Sequence, residues 1–178
     1  NPGLQLGLTL GLACREGRDK MTLVTSPRLN GLGAWIEQLV AESTGKAGVG
    51  LIPIDGERLG EPHIYGTDRL FVSIRVGEDT DAEQDATLER LENAGHPVVR
   101  FVVRSLDEIG AECFRWQFAT AVAASVLGVH PFEQPDVDAA KAVTRSVANQ
   151  YATGRKSNER QPVMTVPYST GELSVYAP

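Results

Sequence analysis

The sequence is poor in cysteine and histidine, the residues that mark disulfide-rich and metal-binding proteins. It contains two cysteines and three histidines in 178 residues. Cys14 and Cys113 lie far apart and fit no C-x-x-C pattern, so the sequence predicts reduced thiols in a cytoplasmic protein. His63, His96 and His130 are not spaced as metal ligands. We therefore expect neither a metal nor another cofactor.

Long apolar runs and an excess of basic residues are also absent. No run approaches the roughly 20 apolar residues of a membrane span, and the amino end lacks the basic-then-apolar layout of a signal peptide. The formal net charge is -6, and no basic stripe is present that would neutralise phosphates of a nucleic acid. The sequence thus predicts binding to neither membrane nor nucleic acid. An anionic ligand would need a local basic or amide-lined site.

Motifs of common nucleotide-binding and hydrolase families are missing as well. The Gly-Lys pair at 45–46 does not complete a P-loop, because Val40 and Ala47 stand where that motif requires glycine and serine or threonine. Neither a G-x-G-x-x-G fingerprint nor a G-x-S-x-G elbow occurs in the sequence. The sequence therefore predicts neither a dinucleotide site nor a serine hydrolase.

What the sequence does contain is a regular alternation of strand-like and helix-like segments. With 42% hydrophobic and 22% charged residues, it has the make-up of one globular domain with a full core. Apolar, β-branched runs predict strands at 20–26, 49–54, 69–76 and 98–103. Helical periodicity and capping signals predict helices at 2–15, up to 45, and at 80–93, 106–127 and 135–151. This order predicts an α/β fold, a three-layer, mainly parallel sheet with helices on both faces and ligands beyond the carboxyl ends of the strands.

The domain organisation follows from where this alternation stops. We expect one domain over 1–155 and a polar tail over 156–178 with an edge strand at 173–176. The segment 55–68, rich in Asp, Gly and Pro, is long enough to predict a role in lining a site or a subunit contact. The helix at 106–127 is apolar on more than one side, which predicts contacts in several directions.

One carboxylate stands out by its position. Glu42 falls in the last turn of the helix that ends at Gly45, where free carbonyls favour cations and an acid is mildly unfavourable. One interpretation is a solvated surface acid that pairs with Lys46. The other interpretation is a catalytic base. The spacing alone leaves both open.

Two segments resemble signatures of the phosphoglucose isomerase family. The sequence Gln-Leu-Val-Ala-Glu-Ser-Thr-Gly-Lys at 38–46 is similar to the family's Gln-x-x-x-Glu-Ser-[Asn/Thr]-Gly-Lys. The segment 130–141 is similar to Asn-x-Phe-Asp-Gln-x-x-Val-x-x-x-Lys, with Phe132, Gln134, Val137 and Lys141 in register. The resemblance runs from about residue 2 to residue 155 and is greatest to the isomerase half of bifunctional transaldolase/phosphoglucose isomerases. It implies the sugar isomerase fold, which is SIS-type and flavodoxin-like.

The resemblance also implies an activity and a set of site residues. In this family the glutamate of the first signature, here Glu42, moves a proton between C1 and C2 of the sugar as glucose 6-phosphate becomes fructose 6-phosphate through an enediol. Partial burial is expected to raise the pKa of such a base. Lys141 matches the lysine that meets the ring oxygen, and Gln38 and Gln134 match glutamines that contact substrate hydroxyls or phosphate. The implied partners are a sugar phosphate substrate and further copies of the chain in a homo-oligomer.

Several parts of the family's site are not found in these 178 residues. They are a Ser/Thr-rich phosphate loop, a Gly-Gly-Arg segment whose arginine steadies the enediolate, and a Gly-Gln-His segment for ring opening. We expect them to lie outside this chain, and we expect the isolated chain to be inactive. The alternative is a non-catalytic sugar-phosphate-binding domain that regulates a partner.

Overall fold

The computed structural model describes residues 1–29, 31–77, 79–153, 164–168 and 171–175, the last two ranges by their backbone. The chain forms two compact units, Asn1–Gln134 and Pro135–Pro178, and each is described by itself. The predicted end of the domain at residue 155 adjoins residues 154–163, which lie outside the described residues, and it stays a prediction.

The first unit is built on a parallel sheet of four strands. They are β1 (Lys20–Thr25), β2 (Ile52–Ile54), β3 (Arg69–Val76) and β4 (Val98–Val103), in the order β2-β1-β3-β4. Lys20, the first residue of β1, is paired with Ile52 on one side and with Arg69 on the other. The central strands β1 and β3 are buried almost throughout, because both faces of a parallel sheet are covered. The predicted parallel α/β architecture is confirmed.

Helices cover both faces of this sheet. They are α1 (Pro2–Arg15), α2 (Leu32–Thr44), α3 (Ala82–Asn93) and α4 (Ile109–Leu127). Leu23 of β1 packs in the core formed with α1, α2 and α4, whereas its neighbour Val24 packs with Leu88 and Leu91 of α3. Because successive strand residues point to opposite faces, α3 lies on one side and the other three helices lie on the opposite side. The three layers are therefore those that were predicted.

Helix α1 forms although leucine occupies every second position from 4 to 12, a spacing that is typical of a strand. The Asn1 side chain accepts a hydrogen bond from the Gly3 amide at 2.9 Å, and Pro2 follows at the first helical position. Leu6 and Leu10 are buried, whereas the other leucines of the pattern are exposed, namely Leu4, Leu8 and Leu12. The cap and the proline therefore outweigh the alternation.

The connection from β2 to β3 crosses the sheet without an α-helix. Residues 55–68 lie against the face that carries α3, where the Tyr65 ring meets the Phe71 ring edge-on at 5.0 Å. Glu57 accepts hydrogen bonds from the Thr22 hydroxyl at 2.8 Å and from the Arg69 guanidinium at 2.9 Å. This loop thus completes the core of one face, which accounts for much of its length.

The second unit consists of one helix and one hairpin. Helix α5 (Pro135–Ala152) is followed by β5 (Met164–Tyr168) and β6 (Gly171–Val175), which pair antiparallel. The sequence predicted a single edge strand at 173–176, so β5 was missed and residue 176 lies outside the described residues. Among the helices described in either unit, none combines the length and the apolar character needed to cross a bilayer.

Candidate active site

The first signature segment lies at the amino edge of the sheet, which is the edge where the four parallel strands begin. Helix α2 follows β1 and runs back along it, so the helix ends beside the starts of the strands. The Thr44 hydroxyl donates to the Val40 carbonyl at 2.8 Å and accepts from the Leu51 amide at 3.0 Å. The next residue, Ile52, begins β2. Glu42 is therefore at the edge opposite to the one at which the fold class led us to expect the ligand.

Glu42 and Gln38 are brought together. The Gln38 side-chain amide donates to Glu42 Oε1 at 3.3 Å across one helical turn. Both side chains are exposed. The expected partial burial of the Glu42 carboxylate is thus not found in the first unit, because the last turn of α2 presents residue 42 to solvent while Val40 and Thr44 face the core.

Lys46 does not form the surface ion pair that one interpretation of Glu42 required. Its side chain is buried, with 8% of the residue's surface exposed. The ammonium donates to the Ser43 carbonyl at 3.1 Å and to the His130 carbonyl at 2.8 Å. The interpretation of Glu42 as a surface partner of Lys46 is therefore wrong. Sequence reasoning missed the burial because the acceptor is a main-chain carbonyl 84 positions away.

A tight turn after Lys46 fixes this geometry. Lys46 and Val49 exchange two main-chain hydrogen bonds, at 3.0 and 3.1 Å. Between them, Ala47 has a φ of 54° and Gly48 a φ of 77°, both in the left-handed region that two-residue hairpin turns of this kind require. Alanine is unfavourable there by about 1–2 kcal/mol, so the surrounding contacts must hold the turn. The turn also explains why β2 starts at Ile52 and not at the predicted residue 49.

Three helix ends contribute partial negative charge to this edge. Helices α1, α2 and α4 all end here, at Arg15, Thr44 and Leu127, and the carbonyls of a helix end carry partial negative charge. A cavity of about 830 Å³ opens between these ends. Its lining includes the glycines of the loop and of the α4 cap, namely Gly45, Gly48, Gly50 and Gly128. Its charged lining residues are Arg15 and Asp19, one of each sign.

Cys14 lines the same cavity and is chemically quiet. Its thiol donates to the Gly50 carbonyl at 3.5 Å. Burial raises the pKa of this thiol, and the nearby Asp19 carboxylate raises it further. A raised pKa keeps the sulfur in the thiol form, which is a poor nucleophile. Both cysteines are free.

The second signature segment spans the two units. The His130 ring meets the Phe132 ring edge-on at 5.8 Å, and Phe132 and Gln134 are exposed at the end of the first unit. Lys141 is exposed on α5, in the second unit. The structure therefore brings Gln38 to Glu42, whereas the approach of Gln134 and Lys141 to that pair stays a prediction.

The cavity at the carboxyl edge does not suit a sugar phosphate. It measures about 430 Å³ and lies where β1 and β2 end. Four carboxylates and one guanidinium are among its lining residues, namely Asp55, Glu57, Asp81, Glu83 and Arg58. Its charge would repel a phosphate. Of these two cavities, the one at the amino edge lies where α2 ends, although neither Gln38 nor Glu42 is among its lining residues.

Comparison with known proteins supports the interpretation of the signatures. No protein-family model matches the chain. The chain is 29% identical to the glucose-6-phosphate isomerase of Rubrobacter xylanophilus, and the match covers 74% of this chain and 39% of the relative. It is also 29% identical to the probable glucose-6-phosphate isomerase of Halobacterium salinarum, over 67% of this chain and 36% of the relative. This chain is related to the phosphoglucose isomerases. The predicted family relationship is thus confirmed, and the fusion to a transaldolase stays a prediction.

A solved structure supports the fold. A hypothetical protein from Thermus thermophilus matches with a TM-score of 0.67 and 21% identity, over 82% of this chain and 45% of that one. At this identity the likeness concerns the fold alone. The chain spans less than two fifths of the length of the two isomerase relatives.

Proposed function

We propose that this chain carries the base of a glucose-6-phosphate isomerase, which interconverts glucose 6-phosphate and fructose 6-phosphate through an enediol. The observation that carries the proposal is the pair formed by Glu42 and Gln38. An accessible carboxylate, oriented by an amide, ends α2 in a chain related to glucose-6-phosphate isomerases. One carboxylate suffices for the reaction because the same group takes the proton and returns it.

The proton transfer follows from this arrangement. In the open-chain sugar, Glu42 removes the proton from C2, and the electron pair of the broken bond forms the enediolate with the C1 carbonyl. The protonated carboxyl then delivers the proton to C1, while the hydroxyl proton on O2 passes to O1, so that C2 becomes the carbonyl and C1 a hydroxymethyl group. The Gln38 amide holds Oε1 at 3.3 Å, which leaves Oε2 directed to the sugar. Substrate and protein beyond this chain shield the carboxylate from water when the site closes, and this supplies the burial that the first unit by itself lacks.

Lys141 and Gln134 complete the part of the site that this chain contributes. Lys141 opens the ring by hydrogen bonding to the ring oxygen, and Gln134 contacts a hydroxyl or the phosphate. Among the described residues, no carboxylate pairs with Lys141. Its ammonium is therefore available to a ligand.

The phosphate and the enediolate require groups from outside the 178 residues. The amino edge gathers three helix carboxyl ends, and the carboxyl-edge cavity is acidic. Each of the two cavities has a single cation in its lining, Arg15 in one and Arg58 in the other, whereas a phosphate dianion calls for more positive charge. Each missing donor to an enediolate typically costs about 10² to 10³ in rate. We therefore expect the isolated chain to fold but not to isomerise glucose 6-phosphate at a useful rate.

Three finer points belong to the same proposal. We propose that the natural protein is a homo-oligomer, because α1 and α4 present neighbouring apolar side chains to solvent, namely Leu4, Leu8, Leu12, Phe114 and Phe118. A cytoplasmic location fits the two free cysteines. The fusion to a transaldolase rests on the resemblance of the sequence alone.

The second candidate is a non-catalytic sugar-phosphate-binding domain that regulates a partner. The observation in its favour is the exposure of the Glu42 side chain, where a base of this kind is expected to be partly buried. The two candidates differ in whether the carboxylate of Glu42 is needed for turnover or only for the shape of a binding surface.

The variant Glu42→Gln tests the proposal in the full-length protein that carries this chain. The amide keeps the shape but cannot accept the proton, so kcat should fall by about 10² to 10⁴ while KM stays within about tenfold. Isomerisation is followed with a coupled dehydrogenase. The matched control is Glu16→Gln, an exposed acid at the end of the neighbouring helix α1, which should keep wild-type turnover. Undiminished turnover by Glu42→Gln would refute the assignment of the base.

A further inference from the structure

Two main-chain carbonyls that belong to different signature segments, those of Ser43 and His130, accept hydrogen bonds from the ammonium of one buried residue, Lys46. Lys46 lies just after the end of α2, and the first of its acceptors, the Ser43 carbonyl, is in the last turn of that helix. The second acceptor, the His130 carbonyl, lies two residues beyond Gly128, which caps α4 with a φ of 75°. A single side chain thus connects the helix of Glu42 to the start of the segment that contains Phe132 and Gln134.

The burial of this ammonium needs a reason. In the part of the chain that the structure describes, no carboxylate forms an ion pair with Lys46, although only 8% of the residue is exposed. A buried charge without a counter-charge is costly. Here two main-chain carbonyls offset that cost by accepting hydrogen bonds from the ammonium. The Ser43 carbonyl also carries the partial negative charge of the α2 end.

We propose that Lys46 is a positioning residue that fixes the α2 end, and with it Glu42, relative to the segment 130–134. The two hydrogen bonds of Lys46 fix the distance between the end of α2 and the segment 130–134. Packing alone would constrain this distance less, because residues 128–134 form no strand and Phe132 and Gln134 are exposed. This link, formed by the hydrogen bonds from Lys46 to the Ser43 and His130 carbonyls, is independent of the reaction. Its catalytic consequence rests on the proposed function.

The link can be tested in the 178-residue chain by amide hydrogen exchange. The Gly128 amide donates to the Ser125 carbonyl at 3.2 Å, and the Val129 amide donates to the Ala124 carbonyl at 3.0 Å. Both amides therefore report on the α4 cap. Lys46→Met keeps the length and the apolar stem of the side chain but removes its donors, so exchange at these two amides should accelerate by about tenfold or more. Where Met leaves the chain unfolded, Lys46→Leu, which also lacks a donor, carries the same comparison.

A control is available two residues earlier in the chain. Thr44→Val removes the hydroxyl that joins Val40 to Leu51 and has no contact with His130. It weakens the same turn, so exchange should rise near Leu51 but not at Gly128 or Val129. Equal acceleration at the α4 cap in both variants, or none in Lys46→Met, would overturn the link.

The catalytic consequence is measured in the full-length protein. A displacement near 1 Å in a reacting geometry costs up to about 10² in rate, so Lys46→Met should lower kcat by about 10- to 100-fold, and Thr44→Val by less than about threefold at equal stability. Retention of kcat by Lys46→Met, with Glu42→Gln inactive, would contradict the positioning role and leave the proposed function intact. Full turnover by Glu42→Gln would contradict the proposed function, and the exchange result would still decide the link.

Discussion

The contact between α1 and α4 predicts that a substitution normally favourable to helices will destabilise this protein. A Cβ atom added at Gly7 would lie 2.4 Å from the Ala119 carbonyl oxygen and 2.6 Å from Val122 Cβ. Neither atom can rotate away, since one belongs to the main chain and the other is bonded to it. Gly7→Ala therefore requires the two helices to move apart.

The size of the effect follows from two opposing contributions. Replacing glycine by alanine within a helix stabilises by about 1 kcal/mol. Overpacking a tight contact costs about 1–3 kcal/mol, and the close carbonyl oxygen places Gly7 in the upper part of that range. The expected net loss is about 1–2 kcal/mol. For a chain of this size, each kcal/mol lowers the melting temperature by about 2–4 °C.

Thermal unfolding followed by circular dichroism measures this loss. The matched control is Gly110→Ala in α4, because a Cβ at Gly110 meets nothing within 4 Å and should stabilise through helix propensity alone. We expect the melting temperature to fall for Gly7→Ala and to rise or stay unchanged for Gly110→Ala. A Gly7→Ala protein as stable as the wild type would refute the close packing of α1 on α4.

Two further substitutions test the site and the core. Lys141→Ala in the full-length protein should slow turnover of cyclic glucose 6-phosphate more than turnover of open-chain substrate, because its proposed role is confined to ring opening; equal losses in steady-state assays would mean that Lys141 only binds. Burial raises the pKa of the Glu112 carboxyl although Arg115 stands 3.1 Å away. The stability contributed by protonated Glu112 is therefore fully present below the pKa that this carboxyl has in the unfolded chain. It is lost as the pH rises through the higher pKa of the folded protein. Glu112→Gln cannot ionise, so its melting temperature should gain on the wild type as pH rises from about 4 to 8, and a constant difference would contradict this.

Much of the fold could be predicted from the sequence, because its signals are local. The β-branched runs of β3 and β4 predicted the observed bounds, 69–76 and 98–103. β5 escaped because Pro167 interrupts it, and proline argues against a strand. The start of β2 was misplaced because Ala47 adopts a backbone conformation that alanine rarely takes.

The candidate site was predictable only where spacing decides contact. Gln38 and Glu42 meet because residues four apart in a helix share a face. The burial of Lys46 was not predictable, because nothing in the sequence indicates that a carbonyl at residue 130 comes to meet it. The exposure of Glu42 depends on which side of the last turn of α2 faces the core, and the first unit by itself does not show the expected partial burial.

The most direct test of the role of Glu42 follows the proton itself. The full-length protein is incubated with glucose 6-phosphate in deuterium oxide, and deuterium at C2 of glucose 6-phosphate and at C1 of fructose 6-phosphate is measured by NMR. The wild type and Glu16→Gln should incorporate deuterium during turnover, since the carboxyl of Glu42 exchanges its proton with solvent whenever the site opens before that proton has been returned. Glu42→Gln should incorporate none above the uncatalysed background. Deuterium incorporation by Glu42→Gln at the wild-type rate would show that another group moves the proton.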